Sequence, residues 1–107
     1  MNASHGLTGD TVAQIHAVLA RFPEVDQAVL YGSRAKGNYK PGSDVDLTLL
    51  GAGVTSKILG QIRNELDDGL LPYTFDISIF SQLEQADLLD HIRRVGVVFY
   101  EKKPLPK

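Results

Sequence analysis

Asp44 and Asp46 stand two residues apart and close the run Leu30-Tyr-Gly-Ser-Arg-Ala-Lys-Gly-Asn-Tyr-Lys-Pro-Gly-Ser-Asp-Val-Asp-Leu47, which begins with a Gly32-Ser33 pair. Side chains alternate along a strand, so the two aspartates project to one side while Val45, Leu47 and Leu49 project to the other. Two carboxylates ~4 Å apart at an effective dielectric of ~20 repel by roughly 4 kcal/mol, a cost that a bound cation offsets. Oxygen-only ligands favour Mg²⁺ or Mn²⁺ over zinc, and Mg²⁺ commonly takes one or two carboxylates plus substrate phosphates. Gly32 has no Cβ, so the backbone there can approach a phosphate closely, and the amides of the turn that follows point toward such a group. The Ser33 hydroxyl adds a further donor. Alone, Asp-x-Asp is more often a solvated strand face or a turn cap, and Gly-Ser an ordinary strand-to-helix turn. Together they are the two halves of a metal-dependent phosphoryl or nucleotidyl transfer site.

A third carboxylate extends the pattern. Asp76 lies between Phe75 and Ile77 in a segment that otherwise reads as core, where a carboxylate is expensive to bury unless paired or metal-bound. Taken alone it could sit on an exposed strand face; beside Asp44 and Asp46 it completes a triad. Arg34 and Lys36 place positive charge within reach of a triphosphate, or are solvated surface charges. Gly37 and Gly42 read as turn residues.

The elements that must position these groups follow from the spacing of apolar residues. Thr8 or Asp10 caps a helix to about residue 22, with Val12, Ile15, Val18 and Leu19 at helical spacing, and Pro23 ends it. Strands are expected over 25–31 and 44–50, joined by a short helical turn and a loop at 38–43 rich in turn-formers. Thr55 or Ser56 caps a second long helix with Ile58, Leu59, Ile62 and Leu66 in its stripe, stopped at Asp67-Asp68-Gly69. Residues 74–80 alternate as a third strand. Ser81 is expected to cap a third helix through about Val95, apolar at Leu83, Ala86, Leu88, Leu89 and Ile92, with Gly96 as its C-cap. A last short strand covers 97–100. The order αβ(short α)βαβαβ predicts an α+β fold, one mixed sheet of about four strands flanked by helices.

Composition narrows the setting. With 107 residues the chain is expected to form one domain over 1–107, with a loose lead-in at 1–9 and a basic, proline-broken tail at 102–107. A net charge of −2 gives no general attraction to nucleic acid or acidic membranes, so any nucleotide contact is local. No apolar run approaches the ~20 residues of a membrane span, and no secretion signal is visible at the N-terminus. The absence of cysteine excludes disulfides and thiolate metal sites. A cytoplasmic location is the expectation.

Gly-Ser-Arg-Ala-Lys-Gly, then Ser-Asp-Val-Asp-Leu, then a later strand carrying Asp76, resembles the nucleotidyltransferase superfamily that includes DNA polymerase β, and the small size resembles its minimal nucleotidyltransferase (MNT) group. The resemblance runs from about residue 12 to 100. It implies the nucleotidyltransferase fold and a set of roles. Gly32 and Ser33 would hold the β- and γ-phosphates of a nucleoside triphosphate. Asp44 and Asp46 would bind two divalent ions, Mg²⁺ or Mn²⁺. Asp76 would complete the ion site on the acceptor side and help activate the attacking hydroxyl. The reaction would be in-line attack on the α-phosphorus with pyrophosphate leaving. The MNT group also implies a helical HEPN-domain partner in a toxin–antitoxin pair, silenced by transfer of AMP from ATP to a tyrosine.

Three functions therefore compete. The first is transfer of AMP to a hydroxyl of a partner protein, with the partner supplying the acceptor surface. The second is an antitoxin that acts by contact alone, which would have no need of a repulsive carboxylate cluster. The third is a nucleotidyltransferase acting on a small molecule such as an aminoglycoside. The remaining candidates read plainly: His5 belongs to the lead-in, His16 and His91 are surface or half-buried helix residues, Tyr31 packs, and Tyr39 is a loop aromatic. Lys102 and Lys103 are expected to be solvated.

Overall fold

The computed structural model describes residues 6–40, 42–69 and 71–102. His5 and Lys103, with the ends of the lead-in and tail, lie outside the described residues. Helix α1 (Gly9–Ala20) is capped by Thr8, whose hydroxyl accepts the Thr11 N–H at 3.1 Å; Asp10 instead sits in the first turn, where its charge suits the helix dipole. Strand β1 (Gln27–Tyr31) starts two residues later than expected, because Val25 is tied into a turn through its N–H to the Phe22 carbonyl. Helix α2 (Gly32–Lys36) is a single short turn closed by Gly37 in the left-handed region. Strand β2 (Val45–Leu50) leads to α3 (Ser56–Asp68), capped by the Thr55 hydroxyl on the Ile58 N–H, and α3 crosses over to β3 (Phe75–Ile79).

The third long helix departs from expectation at its start. Ser81 does not cap it. Residues Phe80–Gln82 form one 3₁₀ turn, Leu83 is extended, and α4 (Ala86–Val95) begins after Gln85. Gly96 does end α4, but with an extended backbone (φ −64, ψ 142) and its N–H on the Ile92 carbonyl. Glycine is needed there for space: a Cβ would lie 2.4 Å from the Ile92 oxygen and 2.8 Å from Val29 Cγ1. Strand β4 (Val97–Glu101) follows immediately, and Lys102, expected to be solvated, bonds through its N–H and ammonium to the Asp26 and Pro23 carbonyls.

The described strands form a mixed α+β sheet in the order β3-β2-β1-β4, with β2 and β3 parallel and the other pairs antiparallel. One face carries Ala28, Leu30, Val45, Leu47, Leu49, Ile77 and Ile79, all buried against Ile15 and Leu19 of α1 and Ile62 and Leu66 of α3. The strict alternation of β2 thereby selects its register, since a slip of one residue would carry Asp46 and Thr48 into the core. On the other face α4 packs near β1. His16 of α1 ties down the edge strand, its Nε2–H donating to the Phe99 carbonyl at 2.7 Å with its ring edge-on to Phe99 and Tyr100. Among the described residues, no helix is long and apolar enough to cross a membrane.

Candidate active site

Sheet register gathers the predicted residues. Tyr31 lies opposite Asp46 across the β1–β2 pair, and Asp46 lies opposite Asp76 across the β2–β3 pair. All three sit at one end of the sheet, on the face away from the α1–α3 core. Tyr31 is buried, Asp46 half-buried and Asp76 exposed; Asp44, exposed, comes one residue before β2. One step along the strands, Ser78 and Thr48 are paired in the same way, the Ser78 hydroxyl donating to the Thr48 hydroxyl at 3.0 Å. This pair satisfies the polar groups beneath the carboxylates, which matters because Thr48 is fully buried.

The electrostatics mark Asp46 as the centre of the group. Burial, then the charges of Asp76 and Asp44, push its carboxyl from the ordinary 3.8 up to about 6. Tyr31 is pushed above 10, chiefly by burial and further by the charges of Asp76 and Asp46, against a lowering hydrogen bond with Ser78. This is a site of concentrated negative potential, and among the described residues no ion pair is made by Asp44, Asp46 or Asp76.

Gly32 closes the site from β1. Its φ is +76, a backbone that L side chains rarely adopt, and a Cβ there would lie 2.2 Å from Asp46 Oδ2. The Asp46 carboxylate thus rests against the glycine Cα, a close approach to a side chain of the site that the sequence did not suggest. The Gly32 N–H is donated to His91 Nε2 at 3.0 Å. Ser33, half-buried, uses its carbonyl to accept the Gly37 and Asn38 N–H groups that close the α2 turn.

Arg34 and Lys36 separate. Lys36 is exposed on α2. Arg34 is 1% exposed, donates from Nε and Nη2 to the Ser43 carbonyl at 3.2 and 3.0 Å, and lies 5.3 and 5.2 Å from the ring centres of Tyr39 and Tyr73. Its guanidinium is therefore enclosed by the protein, which corrects the alternative expectation of a solvated surface charge. It anchors the loop whose last residue precedes Asp44, and Tyr39 is part of that anchor. His91, expected to be a surface or half-buried helix residue with no role in the site, is half-buried and meets the site through Gly32 and Tyr31. The signal available in the sequence was its place beside Ile92, the buried residue of α4.

The donor set suits a hard divalent cation: oxygen ligands only, on or just before adjacent strands, with a carboxyl whose ionisation is opposed by burial and then by like charge. Among the described residues no three acidic or histidine side chains converge on one point tightly enough to hold an ion unaided.

Comparison with known proteins places this arrangement. Residues 13–105 match the model of the family described as polymerase beta, nucleotidyltransferase. No curated protein matches the chain in sequence. Among solved structures, a toxin–antitoxin complex with AMP-PNP contains a chain with TM-score 0.67 and 16% identity over 91% of this chain and 76% of that one. A tri-AMPylated Shewanella oneidensis HEPN toxin in complex with MNT antitoxin gives TM-score 0.62 and 16% identity over 86% and 71%. The toxin–antitoxin MntA–HepT gives 0.63 and 15% over 89% and 74%. At such identities these likenesses establish the fold, while the family match spans most of the sequence: the chain belongs to the polymerase β nucleotidyltransferase family.

Proposed function

We propose that this chain is a divalent-metal-dependent nucleotidyltransferase that moves AMP from ATP to a side-chain hydroxyl of a HEPN-domain protein, acting as the antitoxin of that pair. The observation that carries the reading is the apposition of Asp46 and Asp76 on neighbouring strands with Gly32 at the end of β1, the Asp46 carboxyl being raised to about 6 by burial and then by its acidic neighbours. The fold likeness to chains of toxin–antitoxin complexes, one with AMP-PNP and one holding a tri-AMPylated toxin, supports the nucleotide and the partner.

Asp44, Asp46 and Asp76 would hold Mg²⁺, which when bound polarises the phosphoryl oxygens and stabilises the attacking and departing oxygens. The chain's own work is positioning. The Gly32-Ser33 turn brings backbone and hydroxyl close to the β- and γ-phosphates. Asp76, at the outer strand of the sheet, faces the acceptor and takes the proton of its hydroxyl. That oxygen then bonds to the α-phosphorus while the bond from the α-phosphorus to the bridging oxygen breaks and pyrophosphate departs. Ser78 and Thr48 hold the floor beneath the carboxylates.

The test is incubation with ATP labelled at the α-phosphate, Mg²⁺ and the HEPN-domain partner. Label on the partner is expected. A folded complex that acquires none overturns the reading. Asp44→Asn/Asp46→Asn separates catalysis from contact: retained binding with lost inhibition is expected, whereas full inhibition by this variant identifies an antitoxin that acts by binding alone.

A further inference from the structure

Gly32 is held from two directions. Its Cα lies against Asp46, since a Cβ would fall 2.2 Å from Oδ2. On its other side the N–H is donated to His91 Nε2, 59 residues away in sequence, at 3.0 Å. An acceptor nitrogen at Nε2 leaves the imidazole proton on Nδ1. The ring is fixed in turn: Tyr31 meets it edge-on, centroids 6.2 Å apart and planes at 79°, and the next residue of α4, Ile92, is buried. A phosphate oxygen accepting the Gly32 N–H would need the space that Nε2 fills. In this arrangement that amide is a structural donor, and the phosphate is left to Ser33 and the rest of the turn.

We propose that His91 is a positioning residue of the active site: by accepting the Gly32 N–H it fixes the left-handed backbone of Gly32 and so sets the spacing between the Gly32-Ser33 turn and the Asp46 carboxylate. The proposal rests on the nucleotidyl-transfer reading and extends it to α4, an element that carries none of the motif residues. An acceptor at this place is the requirement, not a histidine as such. Glutamine reaches a similar distance and accepts through Oε1. Leucine fills the volume without accepting, and lysine is a donor only.

The experiment uses the full chain and its His91→Gln, His91→Leu and His91→Lys variants, with Mg²⁺·AMP-PNP as the probe in calorimetric titration. It is joined by a ¹H–¹⁵N spectrum that follows the Gly32 N–H and its solvent exchange. For H91L, affinity falls about tenfold, the factor expected for one lost hydrogen bond, while the melting temperature stays within a few degrees. The Gly32 resonance moves and exchanges faster. H91Q recovers most of the affinity and the protected amide. Should H91L fail to fold, H91Q and H91K carry the comparison, and equal affinity in those two overturns the proposal. Wild-type affinity and an unchanged Gly32 signal in H91L overturn it as well. Those outcomes leave the transferase reading standing; a wild-type chain that does not bind Mg²⁺·AMP-PNP overturns both.

Discussion

The two faces of the sheet are made by the same strands and do opposite things. On one, Val45, Leu47 and Leu49 are fully buried among the apolar residues of α1, α3, β1 and β3. On the other, Asp46 and Thr48 alternate with them, beside Tyr31, Asp76 and Ser78. Burying one such aliphatic side chain contributes about 1.5–3 kcal/mol. Three of them in one strand outweigh the roughly 4 kcal/mol by which two adjacent carboxylates repel at close range, and partial exposure lowers that repulsion further. The core therefore holds the acidic face together in the absence of a cation, and the lesson is one of dependence: the site is as well placed as the register of the core behind it.

The largest effect expected belongs to the acidic face alone. Replacing Asp46 or Asp76 by Asn removes a carboxylate that would hold Mg²⁺ or take the acceptor's proton, and label transfer to the partner is expected to fall about 10²- to 10³-fold for each. Circular dichroism and melting temperature stay at or above wild type, because a repulsive charge has gone. A variant that loses its fold along with its activity would break the separation between the faces.

Leu47→Ala attacks from behind. Deleting a fully buried leucine costs about 2–5 kcal/mol of stability, and about 4–8 °C of melting temperature per kcal/mol in a domain of this size. Transfer per folded molecule, measured well below the melting temperature, is expected to fall by less than tenfold, since Asp46 and Asp76 remain in register. A far larger loss would show that the carboxylates need close packing beneath them as well as pairing.

The apolar face was legible in the sequence because its signals are periodic and local: β2 alternates, α1 and α3 repeat at helical spacing, and Thr8 and Thr55 supply caps that any helix start would use. The site was legible as far as it lies in one run, Gly32 to Asp46, with Asp76 added by strand context. What escaped depends on long-range geometry. His91 is a lone histidine on an exposed helix until α4 is laid against β1, and Arg34 looks like a surface cation until the loop folds Ser43, Tyr39 and Tyr73 around it. The start of α4 escaped for a different reason. Ser81 satisfies the local rule for a cap, but the chain first turns through Phe80–Gln82 as it leaves the sheet.

Arg34 links the two regions and gives the next effect in size. Arg34→Met keeps much of the stem's volume and removes the hydrogen bonds to the Ser43 carbonyl and the stacking on two tyrosines. Hydrogen bonds from a charged group are worth about 1.5–3 kcal/mol, so the melting temperature is expected to fall in that proportion. Hydrogen exchange should quicken over residues 38–44 ahead of the core strands. Uniform loosening of the whole sheet would instead make Arg34 part of the core and not an anchor of the Asp44 loop.

The smallest effect has the most diagnostic sign. Because the folded Asp46 holds its proton up to about pH 6 against an ordinary 3.8, the native state binds that proton more tightly than the unfolded chain. Its contribution to stability is complete below about pH 4 and is lost as pH rises through about 6. In chelator, Asp46→Asn is then expected to match wild type near pH 4 and to be the more stable near pH 7.5. The gain is about 1 kcal/mol once solvent screening of a carboxyl this exposed is allowed for. Added Mg²⁺ should reverse the order at pH 7.5, since only the wild type has a carboxylate at this position for the ion to stabilise. Thermal unfolding across pH with and without Mg²⁺ reads both signs. A difference between the two proteins that is flat with pH would mean that neither burial nor the charges of Asp76 and Asp44 raise the Asp46 carboxyl, and would remove the electrostatic case for a cation on this face.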